Sequence, residues 1–418
     1  MITHILRLLL GRQLKPFTLK RDRGFLPRFD VPSLGLYVHV PFCKSLCDFC
    51  PYYKTKAQKD RIDAFLGALT AEFGLVARRL RNGESRRKAT SLYFGGGSPA
   101  IVMDDLPVIR RAIDREFSVA GHSGIELHPR DVKRDTAQRL HDCGFDMVSL
   151  GVQSFSPTLQ ENLGRMSADG TQALRELSTG GFSAIDVDLI FAIPGQTETD
   201  LSRDFRRAVE LGATQVSTYP FIDFSYANNR RRPLSHWRKR RMLDSLLATA
   251  DDLGFERTSV WTFGKKGSPR YSSVTRDFFV GFGPSAASLG RDAFKANTFS
   301  VDSYVQAVGD GLIPTAVTLR FTPRTRRLYW MFWNAYNGVI SRATYSSLFG
   351  TELEEDFGPV MALAERAKLV RTSADGWVLT NRGSRLFHRV EQVYTHQYID
   401  KTWKSSMETP WPRFIRLY

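Results

Sequence analysis

Three of the four cysteines in this 418-residue chain fall within eight residues, in the stretch VHVPFCKSLCDFCPYYK. Cys43, Cys47 and Cys50 are spaced C-x3-C-x2-C directly after a short apolar run. Thiolates at such a spacing bind zinc or an iron–sulfur cluster. Structural zinc takes four protein ligands, usually with a second cysteine pair. No second pair exists, because Cys143 is isolated in HDCGF and His39 reads as a packing residue of the preceding strand. Three thiolates leave one coordination position open, as a reactive cluster requires. A disulfide framework is a poor fit, since such scaffolds are short, secreted and cysteine-dense. A reduced, cytoplasmic compartment is expected.

The elements that must position these cysteines follow from periodicity. Leu36–Val40 reads as a strand, and DRIDAFLGALTAEFGLVARRL places Ile62, Phe65, Leu66, Leu69, Phe73, Val76 and Leu80 on one helical stripe. Strand-like runs recur at 91–99, 125–129, 147–155, 184–195 and 215–221, with helical patterns around 132–143 and 168–179. Strands alternating with amphipathic helices predict parallel strands with crossover helices, and six of them fit a complete or partial barrel. Polar or unusual residues sit at each strand end: the cysteines, Gly95–Gly97, Glu126, Gln153, Asp188 and Tyr219. In a parallel barrel those ends converge on one mouth, where chemistry sits. Pro194-Gly195 reads as a turn beneath it. From about residue 280 the pattern changes. The aromatic helix LYWMFWNAYNG, a second helix in EEDFGPVMALAERAKLV and a hairpin turning on Asp375–Gly376 predict a small winged-helix-like domain at 311–418. The aromatic helix reads as core packing of that domain rather than as the wall of a substrate pocket.

Composition is ordinary for a globular protein, with 42% hydrophobic and 24% charged residues, and no apolar run reaches 18 residues. The formal charge of +16 is not ordinary; basic residues bunch at 78–88, 230–241 and 320–327. Solvated helix faces account for this most simply. An acidic substrate or an anionic membrane surface comes next, and nucleic acid last, because no nucleic-acid motif accompanies the charge. The basic amphipathic N-terminus, residues 1–33, lacks a signal-peptide cleavage site and reads as a helix packed on the protein's own body, with contact to a membrane surface as the alternative.

Six words occur in order: LYVHVPFC, YFGGGSP, IELHPRDV, SLGVQSF, DVDLIFAIPGQT and GFGPSAAS. With C-x3-C-x2-C and Phe49 before the third cysteine, they resemble the radical S-adenosylmethionine superfamily. Within it they resemble the group of oxygen-independent coproporphyrinogen III oxidase and its heme-chaperone relative. The resemblance covers residues 34–310 strongly and 311–418 more loosely. It implies an α/β fold, a partial (β/α)6 TIM-type barrel over 34–310, carrying a [4Fe–4S] cluster on Cys43, Cys47 and Cys50. The iron left open would chelate the amino and carboxylate groups of S-adenosylmethionine (SAM), which one electron cleaves to methionine and a 5′-deoxyadenosyl radical. Gly95, Gly96 and Gly97 then lie against the methionine amino group. Glu126, Gln153, Arg165 and Asp188 match contacts to the methionine and ribose. Tyr37 and Phe49 match positions near the sulfonium and adenine, and Ile190 belongs to the same site. The implied partners are an electron donor such as flavodoxin or ferredoxin and a tetrapyrrole or other large organic substrate.

The chain departs from the oxidase at Tyr52, where that enzyme carries a further cysteine, and it matches neither the oxidase's N-terminal segment nor the chaperone's motifs near 255–277. The reaction is therefore left among oxidative decarboxylation, methylation or cyclopropanation with a second SAM, and heme carriage with little turnover.

Overall fold

The computed structural model describes residues 17–31, 34–81, 86–229, 231–271 and 277–417. The expected N-terminal helix and membrane contact lie outside the described residues, apart from a strand at Phe17–Arg21. No helix among the described residues is long and apolar enough to cross a membrane.

Six parallel strands form the centre: β1 (Gly35–Val40), β2 (Ser91–Gly96), β3 (Ser123–Leu127), β4 (Met147–Gln153), β5 (Ala184–Phe191) and β6 (Gln215–Pro220), side by side in that order. Helices α1 (Lys59–Leu80), α2 (Leu106–Glu116), α3 (Thr136–Asp142), α4 (Gly170–Ser178) and α5 (Glu198–Glu210) make the crossovers, and α6 (His236–Asp252) follows β6. The helix expected around Val132 begins at Thr136, because Pro129–Asp131 first makes a 3-10 turn. A seventh strand, β7 (Phe279–Phe282), adds parallel to β1. Beyond it the sheet continues antiparallel through Ala287–Leu289, Ala293–Asn297, Thr315–Arg320, Phe17–Arg21 and Phe414–Leu417. On the far side, β6 carries the antiparallel hairpin Phe255–Arg257 and Thr262–Lys265. The sheet keeps two edges, so the barrel is a partial one.

The two-residue period of each strand divides core from lumen. Leu36, Val38, Leu92, Phe94, Ile125, Val148, Val187, Leu189 and Val216 are buried in the core, joined by Phe65, Leu69, Phe73 and Val76 of α1. The residues between them face inward. A closed barrel fills its interior with branched apolar side chains. Here the lumen carries Tyr37, His39, Tyr93, Glu126, Gln153, Asp186, Asp188, Ser217 and Tyr219, and it opens into a cavity of about 1070 Å³.

One buried network ties α1 to the antiparallel extension. Glu72 is fully buried and accepts hydrogen bonds from Gly283 N (2.8 Å), Asn297 Nδ2 (2.9 Å) and Tyr304 Oη (2.7 Å). The Lys295 ammonium, equally buried, donates to Asn297 Oδ1.

Residues 323–394 fold as a winged-helix-like unit: α7 (Pro323–Tyr336), a strand at Val339–Ser341, helices at Arg342–Phe349 and Leu353–Arg366, a hairpin of Val370–Ser373 and Gly376–Leu379, and α8 (Asn381–Tyr394). The hairpin turns on Ala374-Asp375, one residue earlier than expected, and Ser373 pairs with Gly376. Gly376 serves close approach instead, since a Cβ there would stand 2.0 Å from the Ile340 carbonyl oxygen. Thr315–Arg320 and Phe414–Leu417, on either side of this unit, both belong to the large sheet.

Candidate active site

The cysteine loop follows β1 and is fastened on several sides. Lys44 Nζ reaches Asp131 Oδ1 (2.6 Å), whose other oxygen accepts from Ser98 Oγ (2.9 Å) just after the glycine run. Asp48 N donates to Gly164 O (3.3 Å), Lys54 Nζ to Cys50 O (2.8 Å) and Tyr226 Oη to Pro51 O (3.0 Å). All three thiols are partly exposed and line the cavity. Burial, with the neighbouring Cys50 and Cys47 adding to it, pushes the Cys43 thiol up to about 12. Burial also raises Cys47, while the Arg165 charge opposes it. Among the described residues no three histidine, cysteine, aspartate or glutamate side chains meet at a single-ion position. A cluster that takes each thiolate on a different iron is larger than one ion and needs wider spacing.

The glycine run fits its place because side chains are excluded there. A Cβ on Gly95 would lie 2.8 Å from Glu126 Oε1; on Gly97 it would lie 2.6 Å from Phe42 O and 3.0 Å from Cys43 Sγ. Gly96 has φ +119°, which disfavours any L side chain, and its Cβ would meet the Val40 carbonyl and the His39 ring. His39 is more than packing. Its Nε2 lies 3.0 Å from the Tyr53 carbonyl, which can only accept, so that nitrogen carries the proton and Nδ1 accepts from Tyr37 Oη (2.9 Å). Burial lowers this imidazole to about 4, keeping it neutral.

Three carboxyls share the lumen. Glu126 accepts from Tyr93 Oη (2.8 Å) and Gly96 N (3.2 Å), and burial raises it to about 7. Asp188 accepts from Ser149 Oγ (2.9 Å) and is raised well above the carboxylate range by burial, then by the Asp186 and Glu126 charges. Asp186, held by Ser217 Oγ at 2.8 and 3.0 Å, is pushed to about 6 by burial. Carboxyls raised in this way gain most from a bound cation. Arg165 is 5% exposed; its Nη2 donates to Gly151 O (2.6 Å), and its buried Nε has no partner. Gln153 adopts φ +70°, rare for a side-chain-bearing residue, at the point where β4 slips register against β5. Phe49 packs on Ile190, Leu159, Leu163 and Phe221, giving the lumen one apolar wall. This donor set suits a zwitterionic sulfonium ligand carrying hydroxyls. It offers glycine backbone for close approach, acidic groups for cations and hydroxyls, an arginine with a spare donor, and an apolar wall for a ring.

Every residue singled out in the sequence for cofactor contact lines this cavity or lies against it. The cavity also takes residues that the strand ends do not mark. Asp186 shares a strand face with Asp188, so the two-residue period of DVD was its signal. Tyr93 was legible in the same way, two residues before Gly95. The helix α7 corrects the expectation of pure core packing. Trp330 is buried in the small domain, while Tyr329, Phe332, Trp333 and Tyr336 form a wall of the cavity opposite the lumen, completed by Phe387 and Tyr394 of α8. Nothing in the sequence marked which aromatic faced which way. Tyr52 also faces the cavity and exposes 51% of its surface to it.

A family model for the radical SAM superfamily matches residues 37–208. Over those residues the chain is similar to the radical SAM superfamily. Proteins of this family work with a [4Fe–4S] cluster and S-adenosylmethionine. The chain is 24% identical over 373 residues to heme chaperone HemW of Bacillus subtilis, covering 85% of this chain and 97% of that one. It is 27% identical over 314 residues to an oxygen-independent coproporphyrinogen III oxidase of Cereibacter sphaeroides, covering 67% and 68%. Its fold matches the structure of coproporphyrinogen III oxidase (HemN) from Escherichia coli with a TM-score of 0.76 at 20% identity, over 94% of this chain and 98% of that one.

Proposed function

We propose that this chain is a radical enzyme that cleaves S-adenosylmethionine reductively and acts on a tetrapyrrole-like or other large organic substrate. The observation that carries the reading is convergence. Cys43, Cys47 and Cys50, the 95–97 glycine run, Glu126, Gln153, Arg165 and Asp188 all meet at one end of a single cavity of about 1070 Å³. The cluster supplies an electron and S-adenosylmethionine a 5′-deoxyadenosyl radical when both are bound.

The chain's own residues do the rest. Cys43, Cys47 and Cys50 hold the cluster as thiolates, and Arg165 offers its free Nε to the methionine carboxylate. Gly96 and Gly97 let the backbone approach the methionine amino group. Glu126 and Asp188 take up the cationic and hydroxyl-bearing parts, and Phe49 with Ile190 covers the adenine. The apolar wall from α7 and α8 shields a reactive species from water and seats the body of the substrate.

Anaerobically reconstituted protein with dithionite should release 5′-deoxyadenosine; an intact cluster that releases none would overturn the reading. S-adenosylhomocysteine appearing in the same mass spectrum would assign methyl transfer with a second SAM. Its absence would assign oxidation or rearrangement. Alanine at Cys43, Cys47 or Cys50 should abolish the cluster absorbance.

A second reading, heme carriage, is favoured by the likeness to the Bacillus subtilis heme chaperone along nearly all of that protein's length. A stoichiometric Soret band on heme titration without turnover would select it.

A further inference from the structure

The basic run at 230–241 is not absorbed by the site, yet the residue before it lies beside the cysteine loop. Asn229 N donates to Asp48 O (3.3 Å), between Cys47 and Cys50, and Asn229 Nδ2 donates to Asn162 O (3.3 Å). Arg231 N in turn donates to Asn229 Oδ1 (2.9 Å). Three residues upstream, Tyr226 Oη bonds Pro51 O directly after Cys50. Arg231 and Arg232, ahead of α6, and Arg238 and Arg240, in its first turns, are all exposed. Among the described residues no carboxylate lies within ion-pair distance of any of these four; Arg241 is the exception, paired with Glu198 at 3.0 Å. Trp237 exposes 63% of its surface, with the Arg241 guanidinium 4.8 Å over its ring. Arginines kept apart from carboxylates, around an exposed indole, make a surface that attracts an acidic partner and offers it an apolar anchor.

We propose that this surface, built on residues 226–229 and 231–241, docks an acidic one-electron carrier protein of the flavodoxin or ferredoxin class beside the cysteine loop. The inference rests on the reading that Cys43, Cys47 and Cys50 hold a reducible cluster. One electron leaves the reduced carrier and enters the cluster; no bond forms or breaks and no proton moves with it. Redox encounters use small interfaces, for which charge steering rather than buried area sets the association rate. The hydrogen bonds from Tyr226 and Asn229 place such an encounter on the segment that backs the thiols. An RNA would be attracted by the same charge, but nothing ties the cysteine loop to an RNA's function.

The test uses the full, cluster-loaded chain and a purified acidic flavodoxin, with binding measured at low and at physiological ionic strength. The variant Arg231→Glu/Arg232→Glu/Arg238→Glu/Arg240→Glu should bind flavodoxin at least about tenfold more weakly and lose most of the salt dependence. The milder variant with glutamine at the same four positions should weaken it in the same direction. The control Arg366→Glu/Arg371→Glu, in the small domain, should bind as the parent does. Unchanged affinity in the four-position variants, equal loss in the control, or binding of bulk tRNA with no binding of flavodoxin would each overturn the proposal. Dithionite reduces without docking, so its 5′-deoxyadenosine yield should be equal in parent and variants. Failure of that yield in the parent protein would count against the functional reading, separately from the binding result.

Discussion

Gly97 lies directly against Cys43: a Cβ on the glycine would stand 3.0 Å from the cysteine sulfur and 2.6 Å from the carbonyl oxygen before it. The thiol is therefore positioned by backbone contact, without an intervening side chain. Gly97→Ala should shift the cysteine loop at a cost of roughly 1–3 kcal/mol and lower iron content and cluster absorbance per protein. Gly67→Ala, at an open and exposed helical position, should stabilise by about 0.5–1 kcal/mol with full cluster loading. Iron analysis and thermal melts on the two variants check this.

Gln153 holds a left-handed backbone at the register slip between β4 and β5. Such conformations cost on the order of 1 kcal/mol for a residue with a side chain. Gln153→Gly should keep or raise the melting temperature while weakening S-adenosylmethionine binding, measured by equilibrium dialysis on loaded protein. A loss of stability would mean that the amide is a structural prop.

Lys295 and Glu72 are fully buried together, and Glu72 also accepts three hydrogen bonds. Removing one partner strands a charge, so Lys295→Met should cost about 3–5 kcal/mol in urea denaturation. Adding Glu72→Gln to it should recover much of that loss.

Glu391 lines the apolar wing of the cavity, takes one hydrogen bond from Thr395 Oγ1 (2.8 Å) and leaves Oε2 buried without a partner. Burial raises its carboxyl to about 7 from an ordinary value of 4.5, against the pull of Thr395 and Lys239. A raised folded value means that the native state holds this proton longer than the unfolded chain does. The stability it confers is whole below pH 4.5 and is lost as pH rises through 7. At 1.36 kcal/mol per unit the penalty above pH 7 is about 3 kcal/mol. Glu391→Gln should therefore melt higher than the parent at pH 8, with the gap closing toward pH 4.5.

The parallel core was legible because its strands and helices each follow one period. Its strand ends also carry glycine, acid, amide or thiol where an apolar residue would otherwise be expected. Asp186 is equally visible by period, but it lies inside β5, two residues before Asp188, and so is not marked as a strand-end residue. The far wall was not legible. In α7 an aromatic belongs to the small domain's core if it is Trp330 and to the cavity if it is Phe332, and only the docking of one domain on the other decides which. The antiparallel extension was hidden for a related reason: Phe17–Arg21 and Phe414–Leu417 are neighbours in space and almost the whole chain apart in sequence.

That pairing also orders events during synthesis. Leu19 and Leu417 both line the cavity, on adjacent strands that meet only after residue 417 has been made. The cysteine loop, β1 and β2 leave the ribosome long before. The strand that closes this apolar floor is therefore the last of the sheet to be made, after every strand of the thiol-bearing end.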